Sequence, residues 1–290
     1  MNQKITIGGR PVGDGCPCYV VAEIGINHNG SVETAKQLID AAVTAGCDAV
    51  KFQKRSVEVV YTQAELSQAR TSPFGEINGD LKRGLEFGRS DYQEIDAYCR
   101  EKDIVWCASC WDEGSLDFIE SFSPPFYKIA SASLTDSVLL RRHAETGRPV
   151  ILSTGMSSLE EIDRAVETLG TDRLVLLHCT STYPSQLEEL NLRVIPTLKE
   201  RYRVPVGYSG HEVGLATTVA AVVAGACVIE RHITLDRSMW GSDQAASVEP
   251  QGFSRLVRDI HAVETALGDG VKRVYESEIP IREKLRRVNS

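Results

Sequence analysis

The chain has 290 residues, 42% hydrophobic and 25% charged, with a formal net charge of −8. That is globular composition, and its acidic balance excludes a nucleic-acid or anionic-membrane surface as the main partner, since either needs a basic footprint. No signal-peptide core opens MNQKITIGGR, no run approaches the roughly 20 apolar residues of a membrane span, and eight cysteines without a leader fit reduced thiols, so a cytoplasmic location is expected.

Short apolar runs recur along the chain, each followed by a helix-like segment. The first, YVVAEIG (19–25), precedes SVETAKQLIDAAVTAG, with Ser31 as N-cap and Gly46 as stop. AVKFQ (49–53) precedes a long insertion at 54–90, and SDYQEIDAYCREK then reads as a helix opening at Ser90 or Asp91. IVWCAS (104–109), FYKIA (126–130) and PVILST (149–154) follow; SSLEEIDRAVETLG opens at Ser157 or Ser158 and closes at Gly170. LVLLHC (174–179), VPVGYS (204–209) and VIERHIT (228–234) complete eight runs, and a last helix is expected at about 251–267, before a basic tail from about 270. Eight alternating β and α units with continuously apolar strands predict one parallel (β/α)8 TIM barrel spanning 1–290. An open doubly wound sheet would call for a G-x-G-x-x-G turn after the first strand, and EIGINHNGS has none. Cys16-Pro-Cys18 and Cys107-Ala-Ser-Cys110 lack a second pair at zinc-site spacing and read as structural thiols.

A barrel of this kind carries its site at the carboxyl ends of the strands. Those ends supply Glu23, Asn27 and His28; Lys51, Gln53 and Lys54; Lys128 and Ser131; Ser153, Thr154 and Gly155; His178, Thr180, Ser181 and Tyr183; Ser209 and His211; Glu230 and His232. The period of two puts Glu230, His232 and Thr234 on one face and sends Arg231 outward to the helix layer, where it pairs or snorkels. Lys51, Lys128, Ser131, Ser153 and Ser209 offer the charge and hydroxyls that a phosphate or carboxylate wants. His211 and His232, on neighbouring strands beside Glu23 or Glu230, are candidate ligands of a divalent metal. Each alone reads equally as an ion-paired lysine or a satisfied core histidine; their convergence favours an anion-plus-metal site.

Taken together, VAEIGINHNGSVETAKQLIDAA, DAVKFQKR, FYKIAS, STGMSSLEEI, HCTSTYP, VGYSGHEVG and ERHITLD with GSDQAASVEP resemble the sialic acid synthase family from about residue 17 to 285. The resemblance implies a metal-dependent (Mn2+ or Mg2+) condensation of phosphoenolpyruvate with an aldose, giving a 3-deoxy-2-ulosonic acid and phosphate, and a homodimer. It implies that Lys51, Lys128, Ser153 and Ser209, with Ser131, bind phosphoenolpyruvate, that His211 and His232 hold the metal, and that Glu23 stands near the reacting carbons. Tyr183, Ser181 (where the family has asparagine) and Asp243 fall on the acceptor side, and Gln53 and Glu230 complete the substrate-binding set. Two departures touch the acceptor: Ser133 replaces an acidic residue, and the chain ends where relatives continue into an antifreeze-like domain. The rival readings are a Schiff-base aldolase or lyase using Lys51 or Lys128, and a non-catalytic sugar-acid binding protein.

Overall fold

The computed structural model describes residues 3–288. Eight strands close a parallel barrel: β1 Tyr19–Gly25, β2 Ala49–Lys54, β3 Val105–Cys110, β4 Tyr127–Ile129, β5 Val150–Ser153, β6 Leu174–Cys179, β7 Val206–Gly210 and β8 Val228–His232. Their order around the barrel is the chain order, with β8 paired to β1. Outside lie α1 Val32–Ala45, α2 Arg89–Glu101, α3 Glu113–Glu120, α4 Ser137–Glu145, α5 Leu159–Leu169, α6 Val194–Tyr202, α7 Ala216–Val223 and α8 Pro250–Leu267. The (β/α)8 expectation therefore holds.

Local chemistry explains most helix ends. Ser31 caps α1 by accepting from the Thr34 amide, and Gly46 closes it at φ 82°, a left-handed turn that suits glycine. Ser158 and Glu161 form a capping box on α5. Helix α2 starts at Arg89, earlier than the serine or aspartate expected, because Asp91 reaches back to accept the Gly88 amide at 2.7 Å.

The lumen has two zones. Its amino-terminal half is apolar: Tyr19, Val21, Ala49, Phe126, Ile151, Val175, Leu177 and Val228 pack together, closed below by the hairpin Ile5–Ile7 with Arg10–Val12. The next inward positions are Glu23, Lys51, Ser109, Lys128, Ser153, Ser209 and Glu230, all buried. The same pleat thus switches from core to chemistry halfway along the barrel.

Arg231 takes the outward path expected of it and ends 1% exposed between sheet and helices. Its guanidinium meets Glu212 at 3.1 Å and donates to the Gly214 carbonyl and the Thr218 hydroxyl. Glu212 also accepts from Tyr208 and Thr217, and the Arg231 charge with these bonds holds its carboxyl below the ordinary range despite burial. Thr234 departs from expectation. Strand β8 ends at His232, and the Thr234 side chain turns away to Gln244.

The segment between β2 and α2 is structured: short helices Val57–Val60 and Gln63–Leu66, a hairpin of Ala69–Ser72 with Gly75–Ile77, and a helix Asn78–Gly84. Beyond α8, residues 268–288 are exposed throughout, including Val271, Val274, Tyr275, Ile281 and Leu285. Among the described residues no helix is long and apolar enough to cross a membrane.

Removing one partner of a buried ion pair leaves an uncompensated charge. Arg231→Met should therefore lower the unfolding free energy by about 3–5 kcal/mol in urea denaturation. Adding Glu212→Leu should recover more than half of that loss, and a single mutant as stable as the parent would show the pair to be dispensable.

Candidate active site

The polar half of the lumen opens at the carboxyl ends of the strands into a cavity of about 250 Å³. Glu23, Lys51, Gln53, Lys128, Ser131, Ser153, Ser181, Tyr183, Ser209, His211, Glu230 and His232 all line it. A roomier groove of about 690 Å³, lined by residues that precede β1 and β8, holds the Asp14–Lys199 pair with Cys16, Cys227, His261 and Glu264, and lacks the paired lysines and carboxylates of the lumen.

At its centre, Lys51 Nζ lies 2.7 Å from Glu23 Oε2 and donates to Ser109 Oγ at 3.0 Å. Glu230 lies 3.9 Å from Lys51 and 3.6 Å from Lys128, and accepts from Ser209 at 3.1 Å. Burial and the neighbouring Glu230 outweigh the Lys51 charge at Glu23, whose pKa rises to about 7. Glu230 goes the other way, down to about 2: it too is desolvated, but both lysine charges act on it. Burial lowers the Lys128 ammonium pKa, whereas at Lys51 the Glu23 charge overcomes burial and raises it.

Gln53 donates to Glu23 Oε1 at 3.0 Å and is itself held by Arg55. A register shift between Glu23 and Gly25 aims this end of β1. Gly25 sits at φ 55°, where a Cβ would come within 2.9 Å of the Glu23 carboxylate, so glycine is required there. The Ser153 hydroxyl is buried without a partner, which leaves a donor for a ligand.

His211 and His232 stand with ring centroids 5.5 Å apart, and Tyr183 covers His211 at 4.2 Å. His211 Nδ1 donates to the Thr180 carbonyl at 2.8 Å, which leaves Nε2 with a free lone pair. Burial pushes the His211 pKa down to about 4 and lowers that of His232, so both imidazoles are neutral near pH 7. His232 Nδ1 is buried without a hydrogen bond, 3.7 Å from Asp243 Oδ2. Among the described residues no three His, Cys, Asp or Glu side chains cluster as ligands. The pair thus offers two neutral nitrogen donors, a donor set that fits a divalent cation.

Some strand-end residues do not join the site. His178 points outward by the parity of β6 and bonds the Leu190 carbonyl, while His28 stacks on Phe87 and accepts from the Gly30 amide. Asp243 stands behind His232 without lining the cavity, and Ser133 is buried outside it. Besides Ala130, Ala132 and Met156, the lining residues that went unread in the sequence are Ser109, Trp111 and Cys179. Ser109 and Trp111 continue the inward parity of β3, and Cys179 is the inward neighbour of His178, 3.1 Å from Ser131 Oγ. Alternation counted from Cys107 and Leu177 would have found them.

The NeuB family model matches residues 38–272. Mouse N-acetylneuraminate-9-phosphate synthase is 40% identical over 282 residues, covering 96% of this chain and 79% of that protein. N,N'-diacetyllegionaminic acid synthase of Legionella pneumophila is 37% identical, covering 99% and 83%. The crystal structure of N-acetylneuraminic acid synthetase from Leptospira borgpetersenii, a citrate complex, superposes with a TM-score of 0.86 at 32% identity over 99% of both chains. The lumen of paired lysines and carboxylates therefore belongs to a member of the NeuB family, the synthases of sialic-acid-like sugars.

Proposed function

We propose that the chain condenses phosphoenolpyruvate with an aldose to give a 3-deoxy-2-ulosonic acid and inorganic phosphate. The observation that carries this reading is the buried Lys51–Glu23–Glu230–Lys128 cluster at the mouth of a barrel whose relatives make such sugars. Lys51 and Lys128 supply charge, and Ser131, Ser153 and Ser209 supply hydroxyls, for the phosphate and carboxylate of the enol ester. So held, the enol carbon attacks the aldehyde carbon of an acceptor bound by Tyr183, Ser181 and Gln53, with Asp243 acting only from behind His232, and a cationic centre forms at C2 while the aldehyde oxygen becomes an alkoxide. Water adds to C2, its proton passes to the Glu23 carboxylate and from there to the acceptor alkoxide, and the C2–O bond to phosphate then breaks as the new C2 hydroxyl gives its proton to the departing phosphate, leaving the C2 ketone. A pKa near 7 suits Glu23 to take and return a proton.

His211 and His232 would hold the divalent cation, manganese or magnesium, which when bound supplies Lewis-acid polarisation of the aldehyde oxygen. The neutral imidazoles and the unpartnered His232 Nδ1 support this. We place the protein in the cytoplasm, in keeping with eight free cysteines, and recovery outside the cytosol on cell fractionation would overturn that. A homodimer fits the exposed apolar residues of 268–288. Truncation after Leu267 should then shift the mass in solution from two copies to one.

One observation favours a second reading. Burial depresses the Lys128 ammonium, a condition that also suits Schiff-base chemistry. The deciding assay incubates the protein with phosphoenolpyruvate and a panel of aldoses with manganese or magnesium, and looks for a 3-deoxy-2-ulosonate. In parallel, the protein is treated with pyruvate and borohydride. Ulosonate without a covalent adduct is expected; an adduct on Lys128 or Lys51 would favour the lyase instead. His211→Ala and His232→Ala should each lose metal by elemental analysis, lower turnover by at least about 100-fold, and keep the parent circular dichroism. Full metal content in either would remove it from the ligand set.

A further inference from the structure

A glutamine side chain can present either its oxygen or its NH2 group to a neighbour, and at Gln53 the choice matters. Its Nε2 donates to Glu23 Oε1 at 3.0 Å, while Lys51 lies 2.7 Å from the other carboxylate oxygen. Turned over, the amide would set a carbonyl oxygen against that carboxylate, and an attractive contact would become a repulsive one. The Tyr92 hydroxyl donates to the Gln53 carbonyl at 2.9 Å, which fixes the backbone but not the direction of the side chain.

The group that fixes the direction is Arg55, just past the end of β2. Its Nη2 donates to Gln53 Oε1. A guanidinium carries five N–H donors and no acceptor, so only the glutamine oxygen can face it, and the NH2 is left to Glu23. Arg55 is buried, 7% exposed, and does not line the cavity. Its own position comes from the insertion. Nε lies 2.8 Å from Glu86 Oε1, Nη1 donates to the Tyr61 hydroxyl at 2.8 Å, and the Arg55 amide donates to Glu86 Oε2 at 3.2 Å. The guanidinium also lies 4.8 Å over the ring of Trp111, which does line the cavity. Glu86 is 3.2 Å from Lys54 as well, so it keeps a cation when Arg55 is replaced.

We propose that Arg55 is a positioning residue for the reaction: held by Glu86 and Tyr61 of the insertion, it locks the Gln53 amide with its donor toward the Glu23 carboxylate. This rests on the condensation reading above, in which Glu23 takes the proton of water. It gives the insertion a part in the chemistry without bringing it into the cavity. Along Glu86, Arg55, Gln53 and Glu23 every donor meets an acceptor, and the direction of that relay is set at the insertion end.

The test is a double-mutant cycle read in turnover. Gln53→Met and Arg55→Met should each lower kcat at least about tenfold, the size of one charge-assisted hydrogen bond. The KM for phosphoenolpyruvate should stay within about twofold, since Lys51, Lys128 and the serines are untouched. On the Gln53→Met background, Arg55→Met should lower kcat by less than about a further twofold, because it acts only through that amide. Arg55→Lys, still a donor without an acceptor, should return kcat to within about threefold of the parent. Arg55→Gln, which permits either orientation of Gln53, takes the place of Arg55→Met in the cycle if the methionine variant does not fold. Additive losses, or a parent-like kcat in Arg55→Met, overturn the proposal.

A second readout does not need turnover. In nitrogen–proton correlation spectra of glutamine-labelled protein, the Gln53 NH2 pair is identified by its loss in Gln53→Met. The parent and Arg55→Lys should show one hydrogen-bonded, slowly exchanging proton in that pair, and Arg55→Met should lose it. An unchanged pair in Arg55→Met also overturns the proposal. Failure of every aldose to react would instead sink the condensation reading, and the spectra would still decide whether Arg55 orients Gln53.

Discussion

Two ammonium groups and two carboxylates share the upper lumen of the barrel, and the fold around them is arranged to make that tolerable. A single buried charge of this kind would shift its pKa until it was neutral. Here Glu230 stands between Lys51 and Lys128, and Glu23 closes on Lys51, so each ionised group has an opposite neighbour. The apolar zone below is the other half of the arrangement. Its close packing fixes strand register, and register decides that Glu23, Lys51, Lys128 and Glu230 meet at one level.

The same logic operates on the outer face of β8. Arg231 alternates with Glu230 and His232 and is as deeply buried, but its partner comes from the β7 loop in Glu212. The residue beside Glu212 is His211. One salt bridge therefore ties together the ends of the two strands that carry both histidines.

Much of this could be read from residues alone because a barrel strand has a period of two and a site at one end. VIERHIT declares its parity through its ionisable residues, and AVKFQ does so through Lys51 and Gln53. Parity was less visible in LVLLHC, where the eye goes to histidine: His178 faces the helices and Cys179 faces the cavity. Loop residues were harder still. The place of Asp243 behind His232 follows from a 3-10 turn and from the Trp240 carbonyl accepting from Asn29 and Gln244, none of which has a sequence period. The 54–90 segment was recognisable as an insertion, but its hairpin comes to the mouth through the Phe74–Trp240 contact between residues far apart in the chain.

The split between the two carboxylates bears on how the site receives its substrate. Glu230 stays ionised because both lysines act on it, whereas Glu23 is poised to carry a proton near pH 7. In the proposed reaction, a phosphate and carboxylate arriving at Lys51 and Lys128 would compete with these internal anions for the same ammonium groups. Protonation of Glu23 releases Lys51 to the ligand at small electrostatic cost, because the leaving internal charge is replaced by an incoming one. In the same proposal, deprotonation would become favourable again when a cationic centre develops at C2 beside it, which is when a base for water is needed. The raised pKa of Glu23 thus follows from the same burial that makes the cluster necessary, and in the proposed reaction binding and base catalysis would use its two protonation states in turn.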